Sequence, residues 1–462
     1  MNRARTIWPW AAILGLGLAL SLSFWPGIMA WDSGRQYTQA LSGKFDDWHP
    51  PLMEAIWRCL IPLMPGPAPM LILQLGLYGV ALGALAWRSR QRPREAIWLA
   101  ATSLFPPTLL VMATILKDAL MAATLLAGFV LLLRFGETGS RLARWTGAGL
   151  VLLASCLRFN AFLPGLPLLL LALPADWTKD RGKAALAIAA AFLALLLAMP
   201  AANRLLRAER SGVELSLVIF DLGGITAHGG GNVFPPMPVT NPVAVNRTCY
   251  KAERWDSYSW WVDPVCPIRF VTVQDAFVRR HINPVRFWIV AILTHPIAYA
   301  SHRLEHWNIA SQFLVTSTTV RWITSASDPN VWNYRVAPNP LNRLVIAGAW
   351  LVNTTPLGWP CWWLALSFAL VLLGWRLNQA RPLLALAGSA LLCDLGYMFF
   401  SVAAELRYYC WSMMAALIAA VLFAGCWQET PAALRPGRAR QIAAAAPLVL
   451  VTVLGLAWRW LG

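Results

Sequence analysis

The stretch WDSGRQYTQALSGKFDDWHPP, residues 31–51, decides how this chain is read. It is polar, acidic and aromatic, and it stands between two apolar runs, 7–28 before it and 70–87 after it. Runs of about 17 to 25 apolar residues are long enough to cross a bilayer. Ile28 stands where a cleavage site wants a small residue, so the first run is expected to stay as an uncleaved anchor. The segment after it then lies at a membrane face, with Asp32, Asp46, Asp47 and His49 beside Trp31 and Trp48. The ordinary reading of such a segment is a solvated loop. The rest of the chain argues for a site, because it repeats ionisable residues at the same face.

Hydrophobic residues make up 58% of the chain and charged ones 13%, where soluble domains carry about a quarter. This predicts an all-α polytopic membrane protein. The net charge of +17 does not point to nucleic acid, because the basic residues follow topology. Arg3, Arg5, Arg88, Arg90, Arg92, Arg94, Arg134, Arg141, Arg144, Lys179, Arg181, Lys183, Arg376, Arg381, Arg435, Arg438 and Arg440 fall on alternate connections. Cytoplasmic loops are enriched in Lys and Arg, so these connections and the N-terminus are expected on the cytoplasmic side and Asp32 on the other.

About eleven transmembrane helices are predicted: 7–28, 70–87, 96–116, 119–133, 145–157, 162–173, 184–200, 359–375, 382–402, 408–426 and 442–460. The odd number places the C-terminus outward. The pair around Arg158-Phe159-Asn160 reads either as two short spans or as a re-entrant pair. Three regions follow: a catalytic membrane module over 1–200 with its first outward loop at 31–69, an outward domain over 201–358, and C-terminal membrane helices over 359–462. In PLMEAIWRCLIP, 51–62, helical spacing puts Leu52, Ile56, Cys59 and Leu60 on one face with Glu54 and Arg58 away from it, which predicts an interfacial helix.

Four outward span ends carry ionisable groups: Asp32 with Arg35, Lys117 with Asp118, Arg158 with Asn160, and Glu405 with Arg407. Charges at membrane level cost several kcal/mol unless they are paired or face a polar cavity, so their recurrence predicts one shared polar site. Any single pair taken alone reads as a structural salt bridge. His49 with Asp46 and Asp47 either joins a Mg or Mn site, bonds a substrate hydroxyl, or caps a helix. His302 and His306 share a helical face without a third ligand and are expected on a surface helix. The glycines Gly223, Gly224, Gly229, Gly230 and Gly231 around His228 read as a flap or a linker. Trp255, Tyr258, Trp260 and Trp261 suit either sugar stacking or headgroup anchoring. Cys249 and Cys266 are a candidate disulfide on an oxidising side, with two buried thiols as the alternative.

The segments WPGIMAWDSGRQYTQALSGKFDDWHPPL, ATILKDALMAA, LRFNAFLPGLPLLLL and SVAAELRYYCW together resemble the integral-membrane glycosyltransferases of the C-type fold. The nearest groups are the bacterial relatives of protein O-mannosyltransferases and lipid A aminoarabinose transferases. The resemblance covers the membrane part and leaves the outward domain unmatched. It implies a polyprenyl-phosphate-linked sugar as donor, a lipid, glycan or protein as acceptor, a bacterial inner-membrane location with the site outward, and an acid in the first outward loop as catalytic base. Asp32 takes that position, with Asp46 and Asp47 in reserve. The family often has an Asp-Glu pair there, whereas Ser33 follows Asp32.

The chemistry agrees with the residue types. A carboxylate takes the acceptor hydroxyl's proton while the bond to phosphate breaks, which predicts inversion with retention as the alternative. Lys117, Arg158 and Arg407 would meet the leaving phosphate. Asp118 would order Lys117 or touch the acceptor. The rival readings are a lipid-linked glycan ligase and a transporter or flippase of such lipids.

Overall fold

The computed structural model describes residues 4–174, 177, 180–319 and 323–461. Arg3 and Lys179, two of the basic residues used for topology, lie outside them, as does the side chain of Arg5. Among the described residues the regular structure is helical, with isolated β-bridges and no strand.

Among the described residues six helices are long and apolar enough to cross a membrane: Ala68–Arg88, Lys117–Thr138, Arg181–Leu205, Arg381–Phe400, Leu406–Glu429 and Arg438–Leu461. A seventh span arises if Pro93–Thr102 and Pro106–Ala113, bent by 53°, act together. The break between them covers residues 103–105, and Pro106-Pro107 open the second helix because their missing N–H groups could not continue the first. The remaining apolar runs form shorter helices, such as Phe162–Ala172 and Pro360–Gly374. The first run is helical only over Ala4–Ser23.

The chain divides into two compact units. One comprises Met1–Glu209, Ile323–Asp394 and Arg407–Val453, and the other Arg210–Trp322, Leu395–Leu406 and Leu454–Gly462. The stretch after Ile323, read from the sequence as outward domain, therefore belongs with the first unit. There Asp328 accepts a hydrogen bond from the Trp31 N–H at 2.8 Å, and Trp332 packs edge-on against Tyr37 with ring centroids 4.8 Å apart.

Two chain breaks in the first unit lie side by side. Past Ser23 the backbone leaves the helix, and Ile28 forms a parallel bridge with Thr114. The Ile28 N–H donates to Ala113 O, and the Ile115 N–H to Ile28 O. Gly27 sits at φ +114°, and a Cβ there would come 2.7 Å from the Ile115 side chain, so only glycine permits this approach. Buried Gln74 donates to the carbonyls of Met112 and Thr114 and satisfies two backbone groups that the break releases. Ser33 accepts from the Ala30 N–H and donates to Ile115 O. It thus fixes the start of the helix Trp31–Ser42 against the 113–115 segment. Asp32 and Lys117 are brought together by this pairing.

Lys117–Thr138 packs most closely on Arg141–Ser155. A Cβ on Gly128 would lie 3.1 Å from the Gly147 carbonyl, and one on Gly147 would lie 3.0 Å from the Gly128 carbonyl. Small residues facing each other let two backbones touch in the bilayer. The second helix ends at Ser155, which delivers Arg158 beside Asp118.

In the helix Leu52–Leu60 the face packed into the protein is the one opposite to Leu52, Ile56, Cys59 and Leu60. It buries Met53, Glu54 and Trp57 and leaves Cys59 exposed. The reason is the adjoining helix Trp31–Ser42. Trp57 stacks on Tyr37 at 4.9 Å and donates to Gly66 O, while Arg58 donates to the carbonyls of Ala40 and Leu41.

In the second unit Gly223 and Gly224 lie inside the helix Glu214–Ala227 and form no flap. A Cβ on them would collide with the Tyr258 hydroxyl at 2.2 Å and with the His302 ring at 2.1 Å. Gly229 and Gly231 are in the loop beyond, at positive φ.

Candidate functional site

Asp32 stands in the first turn of its helix, where an anion meets the positive end of the helix dipole. Lys117 opens Lys117–Thr138, an end where a cation is disfavoured. Carboxylates on both sides offset that penalty: Asp118 follows it, and its Nζ lies 3.6 Å from Asp32 Oδ2. Arg407 Nη1 reaches the same oxygen at 3.0 Å, and His49 Nε2 faces Asp32 Oδ1 at 3.7 Å. Lys117 Nζ is 2.5 Å from His49 Nδ1. An ammonium has only hydrogens to give, so Nδ1 accepts and the ring's hydrogen sits on Nε2, toward Asp32.

Asp118 pairs with Arg158, whose guanidinium carbon is 4.3 Å from the centre of the Tyr408 ring. Arg407 approaches the same ring at 5.4 Å. Lys117, His49 and Arg407 expose only 10–12% of their side chains, whereas Asp32 exposes 25% and is the accessible member of the group.

Burial alone would raise the Asp32 carboxyl, but Arg407 and then Lys117 outweigh it and hold it well below the usual carboxylate range. Burial and then Lys117 push His49 well below an ordinary histidine. His49 is therefore neutral at pH 7. Lys117, Arg158 and Arg407 then face the carboxylates of Asp32 and Asp118, and the Asp328 carboxylate is also within electrostatic reach of Asp32 and Arg407.

Other predicted residues make contacts of their own. Arg35 pairs with Asp46 at 2.6 Å and lies 5.9 Å over Trp48. The Asp47 N–H donates to Glu209 O. With Asp46 turned to Arg35 and His49 to Lys117, the proposed Mg or Mn ligands do not assemble. Among the described residues no group of three or more His, Cys, Asp or Glu side chains could hold a metal. Asn160 is buried in the turn beside Arg158, where its carbonyl accepts from the Leu163 N–H. Glu405 belongs to the second unit.

Sequence reasoning passed over Tyr408, although it adjoins Arg407, and gave no role to Glu54, which the helical projection set away from the apolar face. Glu54 is fully buried beside the equally buried Gln36, and burial pushes its carboxyl up to about 8. A carboxyl raised on folding favours the folded state below its unfolded value of 4.5 and loses that contribution as pH climbs through about 8. The melting temperature of detergent-solubilised protein should therefore fall between pH 5 and 9, and Glu54→Gln should flatten the fall. An unchanged slope in the variant would contradict this assignment.

The Arg158–Asp118 pair makes a second prediction. Removing one partner of a buried pair costs about 3–5 kcal/mol. Arg158→Leu should lower the melting temperature markedly, and adding Asp118→Asn should restore part of the loss. Equal melting of single and double variants would argue against the coupling.

The second unit holds its own buried cluster, which corrects the expectation of a surface helix at His302 and His306. Both are fully buried. His302 Nε2 is 3.0 Å and Arg303 Nη2 2.5 Å from Asp221 Oδ1, while Trp288 donates to Oδ2. His306 Nδ1 lies 2.7 Å from Ala252 O. Burial pushes His306 down to about 3, and both histidines are neutral packing groups at pH 7. In the same unit Cys249 and Cys266 are joined by a disulfide. Trp255 and Tyr258 are buried there, whereas Trp260 and Trp261 are exposed.

No family model, curated protein or solved structure matches this chain.

Proposed function

We propose that the chain is a membrane glycosyltransferase that moves a sugar from a polyprenyl phosphate to a lipid, glycan or protein acceptor. The observation that carries this reading is the convergence of one accessible carboxylate with Lys117, Arg407 and a neutral His49 at the ends of apolar helices. The likeness of the 25–52, 113–123, 157–171 and 401–411 segments to the C-type glycosyltransferases supports it as well. The topology that goes with the reading has eleven spans, the cluster and an extramembrane domain outward, and the N-terminus in the cytoplasm of a bacterial-type inner membrane.

In the reaction the acceptor oxygen bonds to the anomeric carbon, its proton passes to Asp32, and the carbon–oxygen bond to phosphate breaks. The electron pair leaves on the polyprenyl phosphate. A phosphodiester donor carries one negative charge, which Arg407 and Lys117 can meet. Arg407 and Lys117 lie on Asp32 before the donor arrives. When they turn to the phosphate, the influence that depresses Asp32 is withdrawn, and the carboxylate becomes a better base where it is needed. Attack opposite the leaving phosphate inverts the anomeric configuration.

This makes a prediction about pH. The acid limb of kcat/KM reports the free enzyme and that of kcat the bound complex. With Asp32 held low in the free enzyme and released by donor, the acid limb of kcat should lie at higher pH than that of kcat/KM. Coincident limbs would contradict the exchange of partners.

The defining experiment is mass spectrometry of lipids that copurify with the protein. A polyprenyl-phosphate sugar bound by wild type and absent from Lys117→Ala/Arg407→Ala supports the reading. Preparations that acquire no such lipid, even after incubation with it, reject it. A lipid-linked sugar carrier is the second reading, favoured by Asp394, buried within the span Arg381–Phe400. A carrier keeps its polar groups near midplane on broken helices, whereas this cluster sits at helix ends.

A further inference from the structure

A cleft of about 1180 Å³ opens between Ala4–Ser23, Ala68–Arg88, Lys117–Thr138 and Arg141–Ser155, at the opposite end of Lys117–Thr138 from Asp118. Its wall is apolar over most of its length, with Leu77, Val80, Ala84, Val130 and Leu131 along it. Leu77 to Arg88 spans about 16 Å of helix, close to half of a hydrocarbon core of about 30 Å. The trough therefore has the depth of a single leaflet. Gly83 helps to shape it, since a Cβ there would meet the Trp10 indole at 2.9 Å.

The mouth of the cleft is basic. Arg88 is neutralised by Glu137. Arg90 lies over the Trp87 ring at 5.2 Å and donates to the Trp87 carbonyl, and Arg134 lines the opposite wall. Neither Arg90 nor Arg134 has a carboxylate partner among the described residues, and both are exposed. An apolar trough one leaflet deep that ends in two uncompensated guanidiniums and an interfacial tryptophan matches one amphiphile: an acyl chain below and a phosphate with net negative charge above.

We propose that this cleft binds an anionic glycerophospholipid of the leaflet that faces the basic loops. One acyl chain lies along Leu77–Ala84 and Val130–Leu131, and the headgroup phosphate lies between Arg90 and Arg134. A zwitterionic phospholipid offers the same chain and phosphate but brings its own ammonium to the two cations, so it is selected against. This site does not rest on the glycosyltransferase reading and shares no residue with the Asp32 cluster.

The test is native mass spectrometry of the delipidated full chain, mixed with equimolar phosphatidylglycerol and phosphatidylethanolamine of identical acyl chains. Phosphatidylglycerol should be retained preferentially. An arginine near anionic headgroups is worth about fivefold, so Arg90→Gln/Arg134→Gln should reduce the preference by about 25-fold. Arg94→Gln, outside the cleft, should not change it. Ala84→Trp, which fills the trough and keeps both arginines, should abolish retention of either lipid there, so the steric arm stands even if the double charge variant folds poorly. Equal retention of the two lipids in wild type, or full selectivity in Arg90→Gln/Arg134→Gln, would overturn the proposal. Displacement of the lipid by millimolar inorganic phosphate alone would also overturn it, because the cleft would then be a simple anion site.

Discussion

Asp32→Asn should lower sugar transfer by about 10²–10⁴-fold, the range that a positioned general base contributes. The amide keeps the shape of the side chain and its helix position but cannot take the acceptor proton. It also stops competing for Arg407 and Lys117, which lie 3.0 and 3.6 Å from the native carboxylate. Donor affinity should therefore hold or improve while turnover collapses, a split that a misfolded variant cannot give. The measurement is release of free polyprenyl phosphate from labelled donor in membranes, alongside donor binding to purified protein. Turnover equal to wild type would remove Asp32 from the mechanism. Loss of binding and turnover together would make it a structural anchor.

The second large effect is expected from the cations. Truncating one partner of a buried, hydrogen-bonded charge pair costs about 2–5 kcal/mol in binding. At about 1.4 kcal/mol per tenfold, Arg407→Ala should weaken donor binding by about 30-fold or more. Lys117→Ala should act in the same direction, with loss of the hydrogen bond to His49 as well. Both variants also leave Asp32 less compensated, so its depressed titration should move up and the acid limb of kcat/KM should move with it. Unchanged donor affinity in both variants would show that the phosphate binds elsewhere. Arg158 is a poorer probe of binding, because its removal strands Asp118 in a buried position.

Much of this arrangement could be read from the chain because the rule behind it is one of scarcity. In an apolar protein an ionisable residue at a span end stands out, and Asp32, Lys117, Arg158 and Arg407 were identified on that ground. What joins them was less legible. The Ile28–Thr114 bridge and the Gln74 hydrogen bonds are long-range backbone events that leave no local pattern. Ser33 stands where the glycosyltransferases that the segment resembles often have a second acid, and its hydroxyl holds Ile115 O.

The burial of Glu54 was not legible for a physical reason. Helical projection set it away from the apolar face, but it cannot know that Trp57 would meet Tyr37 and that this polar side would pack inside the protein. His302 and His306 were assigned to a surface because their partners, Asp221 for His302 and the Ala252 carbonyl for His306, lie 81 and 54 residues earlier. The run 323–358 was grouped with the outward domain because it lacks a span, and composition carries no record of Asp328 holding the Trp31 N–H.

The most direct test of the account is an experimental structure of the full chain in lipid with a non-transferable polyprenyl-phosphate sugar. The account predicts the phosphate within hydrogen-bond distance of Arg407 and Lys117, both drawn away from Asp32, with the anomeric carbon facing the freed carboxylate. A phosphate bound elsewhere, with the Arg407–Asp32 pair intact beneath it, would contradict it.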